Sequence, residues 1–156
     1  MERDAFIKND QDWFRVRACG IIIDNNEVLM VKNNVDDYYY SVGGAIHIGE
    51  TLEDACIREV YEETGTQYEI DKLAFVHENF FYHNNMPAHE ISFYFLMKNN
   101  GTRIFNSVSH GMDGAQEKMV WISLDEYSKY KAYPEFFKDN LKNISNNVKH
   151  FITRRK

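Results

Sequence analysis

The sequence predicts an α/β fold in which helices cover both faces of a mixed β-sheet. Two observations carry that prediction. Runs rich in Val, Ile, Phe and Tyr, residues that suit a pleated surface, alternate with segments of helical period. Polar turns between neighbouring runs favour antiparallel hairpins, and strands mixed with helices pack as layers. The 156 residues suit one domain, 1–156, long enough to bury about two-thirds of the surface its unfolded chain exposes.

Taken in order, Arg15 to Ile23 reads as a strand. Asp24-Asn25-Asn26-Glu27 is the turn of a hairpin into a second strand, Val28 to Lys32. Arg15 and Arg17 share one side of the first strand by the two-residue period. Two readings are open for them: solvated charges on an edge strand, or a grip on an anion. Asn33 to Asp37 is a polar loop, and Tyr38-Tyr39-Tyr40-Ser41 leads to Gly43 and Gly44, where the backbone can turn sharply or approach a ligand.

The most informative stretch follows. Thr51 and Asp54 form a capping-box-like start, and Gly65 is the matching stop. Between them Leu52, Ala55, Cys56 and Val60 recur at helical spacing, so one face is apolar, and its border carries Glu59, Glu62 and Glu63. Like charges three and four residues apart repel by a few tenths of a kcal/mol per pair, so helix stability does not recommend this trio. A bound cation removes the objection. Mg²⁺ takes oxygen ligands and sits between carboxylates and substrate phosphates. Arg58, beside Glu59 and one turn from Glu62, is placed to orient a ligating carboxylate.

Leu73 to Tyr82 and Glu90 to Lys98 read as two long strands, joined by a polar loop from His83 to His89. Glu78 and Glu90 interrupt or border these apolar strands, where a lone carboxylate is costly, so each belongs to a salt bridge or to the site. His77, His83 and His89 lack metal-ligand spacing and read as ordinary surface or hydrogen-bonded residues. Asn99 to Gln116 is a long segment with Gly101, Gly111 and Gly114, of the kind that forms lids. A strand from Lys118 to Ile122 comes next, then a short helix capped by Ser123. A second helix runs from Pro134 to Leu141, and Val148 to Lys156 is a solvated basic tail.

The spacing Gly44, five residues, Glu50, seven residues, Arg58-Glu59-Val60-Tyr61-Glu62-Glu63-Thr64-Gly65 resembles the signature box of the Nudix hydrolases. Its charged and glycine positions are all present over the 23 residues from Gly44 to Thr66. Thr66 stands where the family usually has an aliphatic residue, and Val42 where many members have proline. The resemblance implies a Nudix-type α/β/α sandwich. It implies a hydrolase that cleaves a pyrophosphate linkage in a nucleoside diphosphate joined to another moiety, a small-molecule substrate. It further implies that Glu59, Glu62 and Glu63 ligate Mg²⁺ or Mn²⁺, with Glu50 and the carbonyl of Gly43 in support. A glutamate from the region of Glu117 supplies a further ligand or the general base, and Glu63 and Glu59 are the other candidates for base. On this reading Arg15, Arg17, Gly43, Gly44 and Glu78 are the substrate-binding candidates. The competing class is a binding module: the same fold holding metal and nucleotide without turnover.

Charge and composition narrow the partners. A net charge of −6 disfavours nucleic acid, whose binding draws on Lys and Arg. No stretch approaches the roughly 20 apolar residues of a membrane span, and the first ten residues lack the core of a signal peptide, so the expected location is the cytoplasm. Cys19 and Cys56 give neither a disulfide framework nor zinc-ligand spacing and read as buried thiols. A homodimer is compatible with the sequence.

Overall fold

The structure, a computed structural model, describes residues 2–106, 109–110 and 114–155. Its strands are β1 (Phe6–Lys8), β2 (Trp13–Ile21), β3 (Ile23–Asp24), β4 (Glu27–Asn33), β5 (Tyr39–Ala45), β6 (Ile70–His83), β7 (Met86–Met97), β8 (Ser109–His110), β9 (Gln116–Ser123), β10 (Ala132–Tyr133) and β11 (Lys149–Arg154). The helices are α1 (Leu52–Thr64) and the single turn α2 (Phe137–Asn140). The main sheet runs β11-β6-β7-β2-β5-β4-β9-β8, and off that path β1 pairs with β2, β3 with β4 and β10 with β5. It is mixed: β2 runs parallel to β7 and antiparallel to β5.

Each face of the sheet has its own apolar core. On one, Ala55, Cys56 and Val60 of α1 meet Ala18, Leu29, Val42 and Phe95. On the other, Phe137 and Leu141 around α2 meet Cys19, Ile21, Phe75 and Tyr94. The period-two alternation of β2 sends Ala18 to the first and Cys19 to the second. Gly20 lets α1 come close, because a Cβ there would stand 2.6 Å from Val60 Cγ2. The helix starts as its sequence requires: Thr51 Oγ1 accepts the Asp54 N–H at 3.1 Å, a cap worth about 1 kcal/mol, and Gly65 closes the far end at φ 71°. Both cysteines are buried free thiols.

Several expectations are corrected. Arg15 and Arg17 are not edge charges, because β2 lies in the middle of the sheet and both side chains are covered. The expected loop from His83 to His89 shrinks to a turn on Asn84 and Asn85, both at positive φ, so β6 and β7 run nearly to each other. Ser123 caps no helix; it ends β9, and the helical turn begins at Tyr127 without a side-chain cap. The helix expected from Pro134 to Leu141 is reduced to Phe137–Asn140. The basic tail is not simply solvated: Lys149–Arg154 forms β11 and pairs parallel with β6 from Phe75 to Phe80. In the segment expected to form a lid, Arg103 is ion-paired with Asp24 and Glu27, and its carbonyl accepts the Trp121 indole N–H at 2.9 Å. Gly111 lies outside the described residues.

Candidate active site

Two glycines set the geometry. Tyr40, Val42 and Gly44 of β5 face α1, and a Cβ on Gly44 would stand 2.4 Å from Glu59 Oε2, so the Glu59 carboxylate rests against bare backbone. Gly43, at φ 150°, donates its N–H to Glu63 Oε2 at 3.0 Å. Here a Cβ would strike the Ala18 carbonyl and the Cys19 backbone at 2.5 and 2.6 Å.

Arg58 ties the remaining acids together. Its Nε and Nη2 donate to the two oxygens of Glu50 at 2.8 and 3.0 Å, a fork-to-fork pair, and Nη2 also reaches the Ala45 carbonyl at 3.2 Å. Nη1 donates to Glu59 at 2.7 Å and to Glu62 at 3.3 Å. The bond to Arg58 holds the Glu50 carboxyl below its ordinary range. Glu62 is the outermost of the acids, with a side chain 54% exposed.

Glu63 lies at the opposite extreme, 7% exposed. Burial first, then the charges of Glu117 and Glu59, push its carboxyl well above the ordinary range. Burial also raises Glu59, against the pull of Arg58. Glu117, at the start of β9, shares the α1 side of the sheet with Met119 and Trp121. The Tyr40 hydroxyl donates to its Oε2. Neither Tyr40 nor its hydrogen-bonded neighbour Asn33 was singled out as a site residue from the sequence. The signal was present in the alternation that puts Tyr40 on the side of Gly44.

Arg15 and Arg17 point to the other face, with Glu90, Ser92 and His77. Arg15 is ion-paired with Glu90. Arg17 is 9% exposed, and its Nε has no hydrogen-bond partner among the described residues. Its charge is nonetheless felt at Glu59 and Glu63, so it lies within electrostatic reach of the acids on α1. Glu78 does not join either group: it accepts from His150 Nε2 of β11 at 2.8 Å.

The donors on α1 and β9 are all hard carboxylate oxygens, which suit Mg²⁺ or Mn²⁺ rather than a soft metal. Mutual repulsion at Glu63, and the bare backbone of Gly44 that admits the Glu59 carboxylate, both fit a cation beside these acids. Among the described residues, no three acidic, histidine or cysteine side chains already form a coordination shell. The reason is visible: Arg58 draws Glu50, Glu59 and Glu62 to itself. To take a cation, Glu62 would have to turn from that guanidinium, whereas Glu59 gives it only Oε1 and keeps Oε2 for a ligand.

Comparison with known proteins agrees with this geometry. Over 65 residues the chain is 32% identical to a MutT-like protein of Streptomyces ambofaciens, a match covering 41% of this chain and 42% of that protein. It is 33% identical over 67 residues to an ADP-ribose pyrophosphatase of Methanocaldococcus jannaschii, covering 41% and 40%. These matches span about two-fifths of the length of the curated relatives. Among solved structures, the mutator MutT protein of Bacillus halodurans superposes with a TM-score of 0.63 at 17% identity, covering 90% of both chains. A MutT NUDIX hydrolase of Burkholderia pseudomallei gives 0.56 at 22%, covering 72% of this chain and 84% of that one. At these identities the structures speak for the fold, a Nudix-type α/β/α sandwich. The family model of the NUDIX domain matches residues 13–142, most of the chain, and this protein therefore belongs to the Nudix family.

Proposed function

We propose that the protein is a metal-dependent hydrolase that cleaves the pyrophosphate linkage of a nucleoside diphosphate joined to another moiety. The observation that carries this reading is Glu63, buried, pushed up in pKa by burial and then by Glu117 and Glu59, and bonded to the Gly43 amide. An acid kept in that position is explained by a cation that shares it. Glu59, Glu62 and Glu63 would hold Mg²⁺ or Mn²⁺, with Glu50 and the Gly43 carbonyl in support. When bound, the ion supplies charge neutralisation on the diphosphate and a water of lowered pKa.

The chain's own residues do the rest. Glu117 accepts the proton of the attacking water, a contribution of roughly 10²- to 10⁴-fold. It is favoured over Glu59 and Glu63 because it comes from β9, outside the helix that holds the ion. Arg58 anchors Glu50 and steadies Glu59. Arg17, whose Nε lacks a partner, binds a substrate phosphate oxygen, while Glu90 occupies Arg15. Relatives bearing the names MutT-like protein and ADP-ribose pyrophosphatase support a phosphoanhydride substrate.

One observation favours a second reading, a nucleotide-binding module without turnover: Arg58 already hydrogen-bonds to three of the acids. The test is phosphate or nucleoside monophosphate release from ADP-ribose, nucleotide sugars, dinucleoside polyphosphates and nucleoside triphosphates, with Mg²⁺. Hydrolysis of one class supports the hydrolase. Binding of Mn²⁺ and a nucleotide without cleavage of any member overturns it in favour of the module.

A further inference from the structure

Tyr40 lies outside the signature box, and its ring spans the gap between two strands that do not pair with each other. Strand β4 separates β5 from β9, with Val31 opposite both Tyr40 and Met119. Where β4 ends, at Asn33, the Tyr40 hydroxyl passes that end and donates to Glu117 Oε2.

A phenol has one proton and can also accept, so the direction of that bond depends on its other neighbour. The other neighbour is Asn33, whose Nδ2 points a proton at the Tyr40 oxygen from 3.4 Å. Asn33 is itself fixed. Its Oδ1 accepts the amides of Val35 and Asp36 at 3.0 and 2.6 Å, and Nδ2 donates to Asp36 at 2.7 Å. With its amide oriented this way, Asn33 can only donate to the phenol, which leaves the phenol's proton for Glu117. The same loop is stitched to β9: Asn34 donates its amide to the Gln116 carbonyl, and its Oδ1 accepts the Gln116 amide, both at 3.1 Å. The base of Glu117 and the group that grips its carboxylate thus belong to one hydrogen-bonded unit.

We propose that Tyr40 is a positioning residue for the hydrolysis, its hydroxyl holding the Glu117 carboxylate toward Glu63 while Asn33 sets the direction of the bond. The proposal rests on the reading of Glu117 as a participant in the reaction. Without the hydroxyl, Glu117 turns away under repulsion from Glu63 and Glu59, and the reacting arrangement forms in only a fraction of molecules.

The experiment is a double-mutant cycle of Tyr40→Phe and Glu117→Gln, with kcat and KM measured on the substrate the panel identifies. Mn²⁺ affinity by electron paramagnetic resonance and the unfolding midpoint are followed in parallel. Phenylalanine keeps the ring, so the midpoint stays within about 2 °C. Loss of a partner one shell out from the reacting groups typically lowers activity or metal affinity roughly 10- to 100-fold, and Tyr40→Phe is expected to show that loss in kcat with KM nearly unchanged. In the Glu117→Gln background, Tyr40→Phe adds little further, because the group it holds is already gone. Additive losses, or a wild-type kcat for Tyr40→Phe beside a crippled Glu117→Gln, would overturn the role of Tyr40 alone. A Glu117→Gln variant with wild-type kcat and Mn²⁺ affinity removes Glu117 from the reaction, and Tyr40 with it.

Discussion

The two faces of the sheet carry ionised groups of opposite balance. On the α1 side lie five glutamates, at positions 50, 59, 62, 63 and 117, of which the first three are ion-paired with Arg58. On the α2 side Arg15 and Arg17 share the single anion Glu90. The first cluster has a surplus of acid and is partly open through Glu62. The second has a surplus of one positive charge and is nearly closed. Neither surplus is stabilising in itself, since like charges held close together in a buried setting disfavour one another. On the proposed function, the acids of the α1 side would hold the divalent cation and Arg17 would meet phosphate oxygens, with the bare backbone of Gly43 and Gly44 between.

The largest effect should come from the acidic side. Glu62→Gln or Glu63→Gln lowers kcat on the order of 10³- to 10⁴-fold, while thermal unfolding is unchanged or, for Glu63→Gln, shifted upward. Retained turnover in both would dissolve the contrast. On the basic side the same kind of change strikes the fold: Glu90→Ala leaves Arg15 and Arg17 uncompensated and costs about 3–5 kcal/mol in urea unfolding. Burial would raise the Glu90 carboxyl, but Arg15 and Arg17 outweigh it and hold it below the ordinary range.

A pH scan sharpens the comparison further. Burial first lowers the His77 imidazole to about 4, with Arg155 and Arg17 adding to it against the pull of Glu90. The unfolded chain binds this proton below about 6.5 and the folded chain resists it, so stability is lost as pH falls from there toward 4. The shift corresponds to on the order of 3 kcal/mol, and His77→Gln should flatten that part of the profile relative to the parent protein. An identical profile in the variant would remove His77 from the account.

Gly44→Ala is expected to divide activity by about 10² with little loss of stability. A Cβ there displaces only the flexible end of Glu59, and small misplacements of reacting groups cost that much. Gly43→Ala meets backbone and positive φ and should unfold more readily, by about 1–3 kcal/mol. The mildest change is Arg17→Ala, which raises KM roughly tenfold with kcat near normal if the guanidinium binds phosphate through a charged hydrogen bond. A fall in kcat at constant KM would instead move Arg17 into the transition state.

The legible part of the molecule was local. Thr51, the apolar spacing from Leu52 to Val60 and Gly65 announce α1, and the Glu trio announces its open border, because caps and period act within a few residues. What escaped depends on partners far along the chain. Arg15 meets Glu90 across 75 positions and Tyr40 meets Glu117 across 77, so neither burial nor role shows in a short window. The tail misled for a related reason. Lys149 and Arg154 bracket a strand whose partner, β6, is parallel and distant in sequence, while the charges alone suggest solvent.

That last strand also bears on edge-to-edge association. Among the described residues the sheet ends at β8 on one border and at β11 on the other. An open border of backbone amides invites recruitment of further chains, and short length or cationic side chains are the usual deterrents. Lys149, His150 and Arg154 stud the longer border. Neutral β-branched replacements there would leave the α1 acids untouched and raise the tendency of chains to associate edge to edge, which light scattering would read.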